Sequence, residues 1–468
     1  MQELERTVAK LYVFCLPIRM ITPLTFLQKY VGGCALNFDF VFHTLGLLLW
    51  FANGGKIIVK KETKQLWTFF IFIVASYTIL NIWNATVYHD MLGVAFGEDT
   101  YRATIGSILY WIHYALIITY NLRVFQLLGT NKIWKLLDKL SFVMAIIGYC
   151  QIFVIVTRNT MICKIYDLLA SDILFLPSSY LLKENRITLT TTEPAHAGYI
   201  IARLILPLLL MYVITEGLDV AVFIKLAIWL PIIYFTRSSN AYILVGVELV
   251  AFIIVAIGKL LKIRRVSLSR HSASILVIMV FACGGIPFIL DKIDLSQLIY
   301  LVFQKITDKT NMSTAWRVAP LYINWRIFTD FPLLGIGNGN QGFLYWKYFP
   351  DWAYTLLAGT KTMEWNSDEL PNGLLFFPSV LSGYGIIGTM LLIMFLALTV
   401  IYIWKKRDNK REFIFFAIAM CGILANGFSS DFVGCYDVWF VMSIPFLCSM
   451  IEKEEIYKNE RIMYSSGQ

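Results

Sequence analysis

The chain has 468 residues, of which 58 % are hydrophobic and only 15 % are charged, and its mean hydropathy is +0.66. Soluble domains are closer to half apolar and a quarter charged, so this composition excludes an ordinary soluble protein. The net charge is +9. Because the basic residues concentrate in short loops, we interpret this charge as a signal of membrane orientation rather than of nucleic-acid binding.

Apolar segments long enough to cross a bilayer recur along the whole chain. A crossing helix needs roughly 20 mostly apolar residues, and about twelve segments meet that requirement. The sequence therefore predicts an all-α polytopic membrane protein. The predicted helices are at about 11–29, 38–58, 66–84, 104–127, 140–157, 197–215, 219–235, 240–258, 272–290, 384–404, 413–430 and 437–451.

Four of the short loops are rich in lysine and arginine, at 60–64, 132–139, 259–270 and 405–411. Such loops stay in the cytoplasm, so all four lie on one side if both termini are inside. This orientation leaves two long outer loops, at about 158–196 and 291–383. The expected domains are membrane helices one to nine in 1–290, a large helical extracytoplasmic loop in 291–383, and three helices with a short cytoplasmic tail in 384–468.

Signals for cofactors and for processing are missing from the sequence. The first apolar run is interrupted by Arg19 and is followed by no small-residue cleavage site, so we expect no signal peptide. The eight cysteines form no CxxC pair, which argues against disulfides and metal sites. The sequence has no GxxxxGK[ST], HExxH or DxD motif, so we expect no metal and no cofactor.

The second outer loop contains a polar, glycine-rich stretch that runs from Thr314 to Gly342. Arg317 begins it, and a turn with Asn338 and Asn340 ends it. On a helix Arg326 points away from Arg317, because nine residues at about 100° each lead to the opposite face. We therefore expect the two arginines to contact different groups, with Arg326 near a headgroup.

The first outer loop ends in RITLTTTEPAHAG, from Arg186 to Gly198, just before a predicted helix. Guanidinium groups bind phosphate bidentately and keep their charge, which suits Arg186 to a pyrophosphate. The Glu193 carboxylate can accept a proton from an attacking hydroxyl, and His196 is a competing base. Alternatively, Glu193 pairs with Arg186 or caps the following helix, where a negative charge is favourable.

Several arginines are predicted to face the same outer cavity. Charged residues within membrane helices are rare and are functional candidates by default. Arg237 lies between two helices, where the alternative is an arginine that only reaches the lipid interface. Glu248, deeper in its helix, is expected to be either a charge partner or a packing compromise. The arginines are Arg19, Arg186, Arg203, Arg237 and Arg317.

An aromatic run follows the glycine-rich turn, from Tyr345 to Tyr354. Its rings are suited to stacking on the apolar faces of sugars. The alternative is an aromatic belt at headgroup depth, where Trp and Tyr concentrate.

These motifs resemble those of the O-antigen polymerase and ligase superfamily of bacterial membrane glycosyltransferases. Arg317 and Pro332 match a family pattern of an arginine followed by a proline fifteen residues later, with Leu321 where tryptophan is more usual. Arg186 and the Glu193-Pro194 pair resemble a second motif. The resemblance extends over residues 186–390, roughly, and includes a third, altered element around Arg237.

The resemblance implies a GT-C-like fold and an inverting, metal-independent polymerase. Such an enzyme joins oligosaccharide repeat units, carried on undecaprenyl pyrophosphate, into O-antigen or capsule. It implies a bacterial cytoplasmic (inner) membrane protein with its active site facing the periplasm or cell exterior, and a chain-length regulator as a partner. The implied catalytic residues are Glu193, Arg186 and Arg317, and the implied substrate-binding residues are Arg237, Arg203, Arg19, His196, Arg326, Asn338 and Asn340.

Two other functions fit the same composition. A ligase that transfers finished glycan shares the fold, but family ligases have a histidine before the asparagine that corresponds to Asn372, and this chain has Pro371 there. A lipid-linked glycan flippase also fits twelve helices and a cationic cavity. Transporters of this kind show two related halves, and the sequence contains no internal repeat.

Overall fold

The computed structural model describes residues 1–18, 38–55, 61–95, 97–173, 178–217, 219–262, 312–357, 375–405, 410–430, 432 and 435–446. Within these ranges the chain is almost entirely helical and has no β-strand. The predicted helix at 272–290, the loop residues 358–374 with Asn372, and Arg19 lie outside the described residues.

The described helices are numbered here in chain order. They are α1 (Gln2–Cys15), α2 (Phe38–Ala52), α3 (Lys61–Leu92), α4 (Thr100–Leu128), α5 (Thr130–Thr157), α6 (Thr160–Asp167), α7 (Ser179–Leu182), α8 (Pro194–Glu216), α9 (Val220–Thr236), α10 (Ser239–Lys262), α11 (Met312–Asp330), α12 (Gln341–Tyr345), α13 (Asp351–Leu357), α14 (Phe376–Lys405), α15 (Lys410–Asn426) and α16 (436–446).

Six of the described helices are long and apolar enough to cross a membrane: α3, α4, α5, α8, α10 and α14. Two shorter apolar helices, α2 and α9, accompany them. The prediction of an all-α membrane protein is therefore confirmed at this level, while the number of twelve crossings stays a prediction.

One predicted loop is part of a helix. The lysines at 132, 135 and 139 were expected in a loop, but α5 begins at Thr130 and only Gly129 separates it from α4. The reason is that Ile133, Leu137 and Leu140 recur at helical spacing and are buried. The lysines occupy the exposed side of these first turns.

Helix α8 is the centre of the bundle. Its most apolar 18-residue stretch is 100 % buried, whereas the other five long helices are 28 to 44 % buried over theirs. A helix that is apolar on every side can lie either in lipid or in a protein core. For the run Leu204 to Ile214 the surroundings are protein, because every one of its side chains is buried within the bundle.

Helix α14 is interrupted by Gly385, whose φ of 62° and ψ of −161° are not helical. The helix also begins at Phe376, eight residues before the predicted start, because its first part lies beside the outer loop. The glycine-rich turn packs against this break through four backbone hydrogen bonds. They run from Ile336 N to Ser382 O (3.1 Å), Gly337 N to Gly383 O (2.8 Å), Ile386 N to Pro332 O (2.8 Å) and Ile387 N to Leu333 O (3.2 Å).

Side chains from α3 and α4 hold the same turn from the other side. Asn338 N donates to Asn81 Oδ1 at 2.8 Å, and Asn338 Nδ2 donates to Ser107 Oγ at 2.9 Å. Asn84 Nδ2 donates to Leu334 O at 3.0 Å. The turn is therefore fixed between three helices, and it anchors the end of α11, which directly precedes it.

We predict that Gly385→Ala destabilises the protein. Its backbone conformation is nearly exclusive to glycine, with a cost of about 1–3 kcal/mol for other residues, and an added Cβ would overlap Leu333 O. The measurement is thermal unfolding of purified protein in detergent. Gly106→Ala is the matched control, because a Cβ there meets nothing within 4 Å and alanine favours a helix interior. Equal unfolding temperatures for the two variants would contradict the role of the break.

Candidate functional site

Arg186 lies in an irregular segment, residues 183–193, between α7 and α8. Arg186 Nε donates to Thr236 O at 3.3 Å, and its guanidinium forms an ion pair with Glu184 at 3.1 Å. Ile187 N donates to Phe235 O at 3.0 Å. These contacts attach the segment to the end of α9 and leave the Arg186 side chain 27 % exposed.

The same segment contains backbone strain. Asn185 and Leu189 have positive φ values of 57° and 52°, a conformation that is unusual for a residue as bulky as leucine. Buried Gln151 of α5 holds the strained leucine on both sides. Its Oε1 accepts from Leu189 N (2.9 Å) and Thr188 N (3.2 Å), and its Nε2 donates to Leu189 O (2.9 Å). Sequence analysis missed Gln151, although a lone amide in an apolar helix is a signal.

Glu193 occupies the N-cap position of α8, and Pro194 follows as the first helical residue. Its side chain makes no capping hydrogen bond, although its negative charge lies at the helix end where such a charge is favourable. The only carboxylate with which Arg186 forms an ion pair among the described residues is Glu184. Part of the Glu193 residue is exposed to solvent, and its role as a base stays a prediction.

Two arginines from different loops act on the Glu193 carboxylate. Burial among its neighbours raises the pKa of Glu193, and the positive charges of Arg317 and then Arg186 partly offset that increase. Arg317 is half-buried in the first part of α11. The segment before α8 and the helix α11 therefore place Arg186 and Arg317 within electrostatic range of Glu193.

Arg237 belongs to the edge of this site. It ends α9 in a left-handed conformation with φ of 46°, and its side chain is exposed. The charges of Arg237 and Arg186 both act on the Tyr242 hydroxyl, which donates to Tyr234 O at 2.8 Å. The charge of Arg186 thus acts both on Tyr242, together with Arg237, and on Glu193, together with Arg317.

His196, the competing base, is in the first turn of α8. Its Nδ1 lies 3.2 Å from Thr192 Oγ1, and its ring is 5.6 Å from the ring of Tyr199. Thr192 and Tyr199 thus orient the imidazole, which remains partly exposed three residues from Glu193.

Arg203 was predicted to bind substrate, but its side chain is fully buried. Its Nη1 is 3.0 Å from Asp437 Oδ2, and its Nη2 donates to Asn426 Oδ1. The rings of Tyr199 and Phe432 lie 5.3 and 5.5 Å from the guanidinium carbon. An arginine this deep in a membrane bundle needs an anionic partner, and Asp437 supplies it, so the contacts of Arg203 are within the protein.

The glycine-rich turn is remote from Arg317. Thirteen helical residues separate Arg317 from the end of α11, a distance of roughly 20 Å at 1.5 Å per residue. Asn338 bonds to α3 and α4, and Asn340 is buried with its Nδ2 donating to Ile336 O at 3.0 Å. These two asparagines hold the turn, so the prediction that they contact substrate has no support in their geometry.

Arg326 and the aromatic run have separate surroundings. Arg326 is exposed, and its charge acts on Tyr348, which donates to Asp330. Trp346 and Phe349 of the aromatic run pack around Ala315 and Ala319 of α11. These rings therefore support the helix that carries Arg317, which is neither of the two roles expected for them.

An apolar groove with a volume of about 550 Å³ lies beside the site, between α5, α6 and α9. Its lining includes Tyr149, Phe153 and Tyr166. The hydroxyl of Tyr166 accepts from Gln151 Nε2 at 3.2 Å, and Gln151 holds the segment that carries Arg186. The groove and the cationic site are thus joined through one side chain.

Arg411, from one of the basic segments, and Glu193 lie at opposite ends of α8. Glu216, the last residue of α8, forms an ion pair with Arg411 at 2.9 Å, whereas Glu193 precedes its first residue. At 1.5 Å per residue, the 23 residues of α8 separate these groups by about 35 Å. Arg411 and the Glu193 site are therefore far apart along α8, while the orientation of the chain in the membrane stays a prediction.

The site combines two guanidinium groups with an exposed carboxylate whose pKa is raised. Such a set can bind an anionic group and accept a proton beside it. Among the described residues, no group of three or more His, Cys, Asp or Glu side chains is arranged to hold a metal ion. Comparison of the chain with models of known protein families and with curated protein sequences finds no match.

We predict that Gln151→Ala loosens the Arg186 segment. Without the amide, the backbone groups of Thr188 and Leu189 lose their partners, and each unsatisfied buried group costs about 1–3 kcal/mol. Limited trypsin digestion should therefore cleave faster after Lys183 and Arg186 than in wild type, as followed by mass spectrometry. Thr157→Ala, which removes only a local bond to Phe153 O, is the control. Unchanged cleavage rates in Gln151→Ala would show that the hydrogen bonds of Gln151 are not needed to hold the segment.

Proposed function

We propose that this protein is an integral membrane glycosyltransferase that polymerises lipid-pyrophosphate-linked oligosaccharide units. The observation that supports the proposal is the effect of Arg317 and Arg186, from two separate loops, on the same Glu193 carboxylate. A site for glycosyl transfer from a pyrophosphate needs cations for the leaving group and a base for the acceptor. These three residues supply both functions within one site.

In the proposed reaction, a hydroxyl oxygen of the acceptor sugar attacks the anomeric carbon of the donor glycan. The bond between that carbon and the pyrophosphate oxygen breaks, and the configuration inverts. Glu193 accepts the hydroxyl proton. The electron pair leaves with the pyrophosphate, whose developing negative charge Arg186 and Arg317 stabilise, and Arg237 extends the cationic surface at the edge.

The apolar groove supports a lipid-linked donor rather than a soluble one. An isoprenoid chain attached to the pyrophosphate needs an apolar path beside the cations. The groove between α5, α6 and α9 lies next to the Arg186 segment, to which Tyr166 and Gln151 connect it. The donor of this proposal is undecaprenyl pyrophosphate carrying a glycan, and the acceptor is a second lipid-linked unit on the outer face of a bacterial cytoplasmic membrane.

The proposal is tested by incubating purified protein with a lipid-pyrophosphate repeat unit in the presence of a metal chelator. We expect a ladder of products that differ by one repeat unit. A flippase would move the lipid across vesicles without a ladder, and a ligase would need a different acceptor. Absence of a ladder with active membranes as a positive control would contradict the proposal.

We predict that Arg186→Ala and Arg317→Ala each slow ladder formation by about 100-fold or more, because each removes a charge that stabilises the leaving group. Arg326→Ala is the matched control, since this arginine is exposed on the same helix as Arg317 and acts on Tyr348. All three proteins should reach the membrane in equal amounts. Equal rates of ladder formation for Arg317→Ala and Arg326→Ala would show that Arg317 is not part of the active site.

We predict that the polymerisation rate falls as the pH is lowered through the pKa of Glu193, because only the ionised carboxylate accepts a proton. Burial raises this pKa, so the fall occurs at a higher pH than for an ordinary carboxyl group. Arg186→Gln removes a charge that lowers the pKa, and its residual rate should therefore fall at a still higher pH. The check is a pH profile of initial rates.

Glu193→Gln should lose about 100- to 10,000-fold in polymerisation rate at every pH, because the amide cannot accept the hydroxyl proton.

A further inference from the structure

Glu248 is a buried carboxyl group in the middle of α10, roughly 13 Å along the helix from Ser239. Its side chain has no exposed surface. Neither of its oxygens has a hydrogen-bond partner among the described residues. A carboxyl group in this position needs either a donor or a proton of its own.

A backbone carbonyl of α8 also has no donor from its own helix. Residues Ile201–Ile205 of α8 form a π-helical turn, and Leu206 N donates to Ile201 O. The next residue, Pro207, has no N–H. The carbonyl oxygen of Ala202 is therefore left unpaired within α8.

These two acceptors meet at Gly422 of α15. A Cβ at Gly422 would overlap Glu248 Oε1 and would lie 3.4 Å from Ala202 O. The missing side chain of this glycine thus leaves room for the carboxyl group beside the carbonyl. Two oxygens that both need a donor therefore lie around the same glycine inside the bundle.

Among the residues that the structure describes, none supplies a positive charge to Glu248. The one described ionisable group whose charge acts on it is Cys421 of α15. Arg203 on α8 is paired with Asp437 and Asn426, and Lys225 on α9 is paired with Asp138 at 2.6 Å. An ionised carboxyl group without a partner is costly at this depth, and such groups bind a proton instead.

We infer that Glu248 is a proton-binding site whose protonated carboxyl group donates a hydrogen bond to Ala202 O. One proton satisfies both unpaired acceptors and removes the buried charge. A metal cation needs several ligands, and among the described residues no group of three or more His, Cys, Asp or Glu side chains is arranged to hold one. The bond joins α10 to α8, the helix that begins next to Glu193, and it stands independently of the proposed function.

The test is infrared spectroscopy of the purified full-length protein and of Glu248→Gln at neutral pH. We expect the wild type to show the C=O stretch of a protonated carboxyl group that the variant lacks. Glu412→Gln is the control, because the Glu412 carboxylate accepts from Trp134 Nε1 at 3.0 Å, and this variant should keep the Glu248 band. Loss of a carboxylate band instead of the carboxyl band in Glu248→Gln would overturn the inference.

A second variant covers the case in which Glu248→Gln fails to fold. Pro207→Ala gives Ala202 O a backbone N–H five residues along α8, which competes with the carboxyl group. We expect the Glu248 band to shift to higher frequency, because its O–H loses its acceptor. An unshifted band would contradict the hydrogen bond from Glu248 to Ala202 O.

A change of salt tests whether the site holds a metal cation instead of a proton. Replacement of potassium by sodium should leave the wild-type band unchanged, and disappearance of the band on adding sodium would assign a sodium site instead.

Discussion

The burial of α8 on every side is the constraint on which the rest of the structure depends. A membrane helix with one lipid face can rotate or shift with little effect on its polar groups, whereas α8 has no such face. Its N-terminus is therefore held where Glu193 meets the two arginines, and Arg203 is held against Asp437. The site around Glu193 and the buried pair of Arg203 and Asp437 therefore both depend on the position of the same helix.

Helix α11 transmits a second constraint to the site. One end is fixed by the glycine-rich turn, through backbone bonds to the break in α14 and side-chain bonds to α3 and α4. The other end carries Arg317, and aromatic rings of the outer loop pack against its first turns. The fifteen residues between Arg317 and Pro332 thus correspond to helix α11, which is fixed at its end near Pro332 and carries Arg317 near its start.

The sequence was sufficient to predict an all-α membrane protein. It also singled out Arg186, Glu193 and Arg317, because charge in an apolar chain is conspicuous, and the structure brings these three within electrostatic range of one another. It could not separate arginines by their partners. Arg203 and Arg237 look alike in sequence, yet only Arg203 finds Asp437, more than two hundred residues away. Asn338 was predicted to bind substrate because its actual partners, Asn81 and Ser107, are distant in the chain. The role of Gln151 was not predicted for the same reason, since its partner Leu189 is 38 residues away.

Two glutamates near α8 illustrate how surroundings decide the chemistry of one side chain. Glu193 lies beside Arg317 and Arg186, whose charges favour its ionised form and make it fit to accept a proton. Glu248 lies deeper in the bundle, where no cation of the described residues acts on it and where the Ala202 carbonyl lies near the same glycine. In our proposals, the carboxyl group of Glu193 at the start of α8 acts as a base, whereas that of Glu248 inside the bundle donates a hydrogen bond. The difference arises from the positions of the arginines. Arg203, the arginine of α8, forms an ion pair with Asp437 and is not available to Glu248.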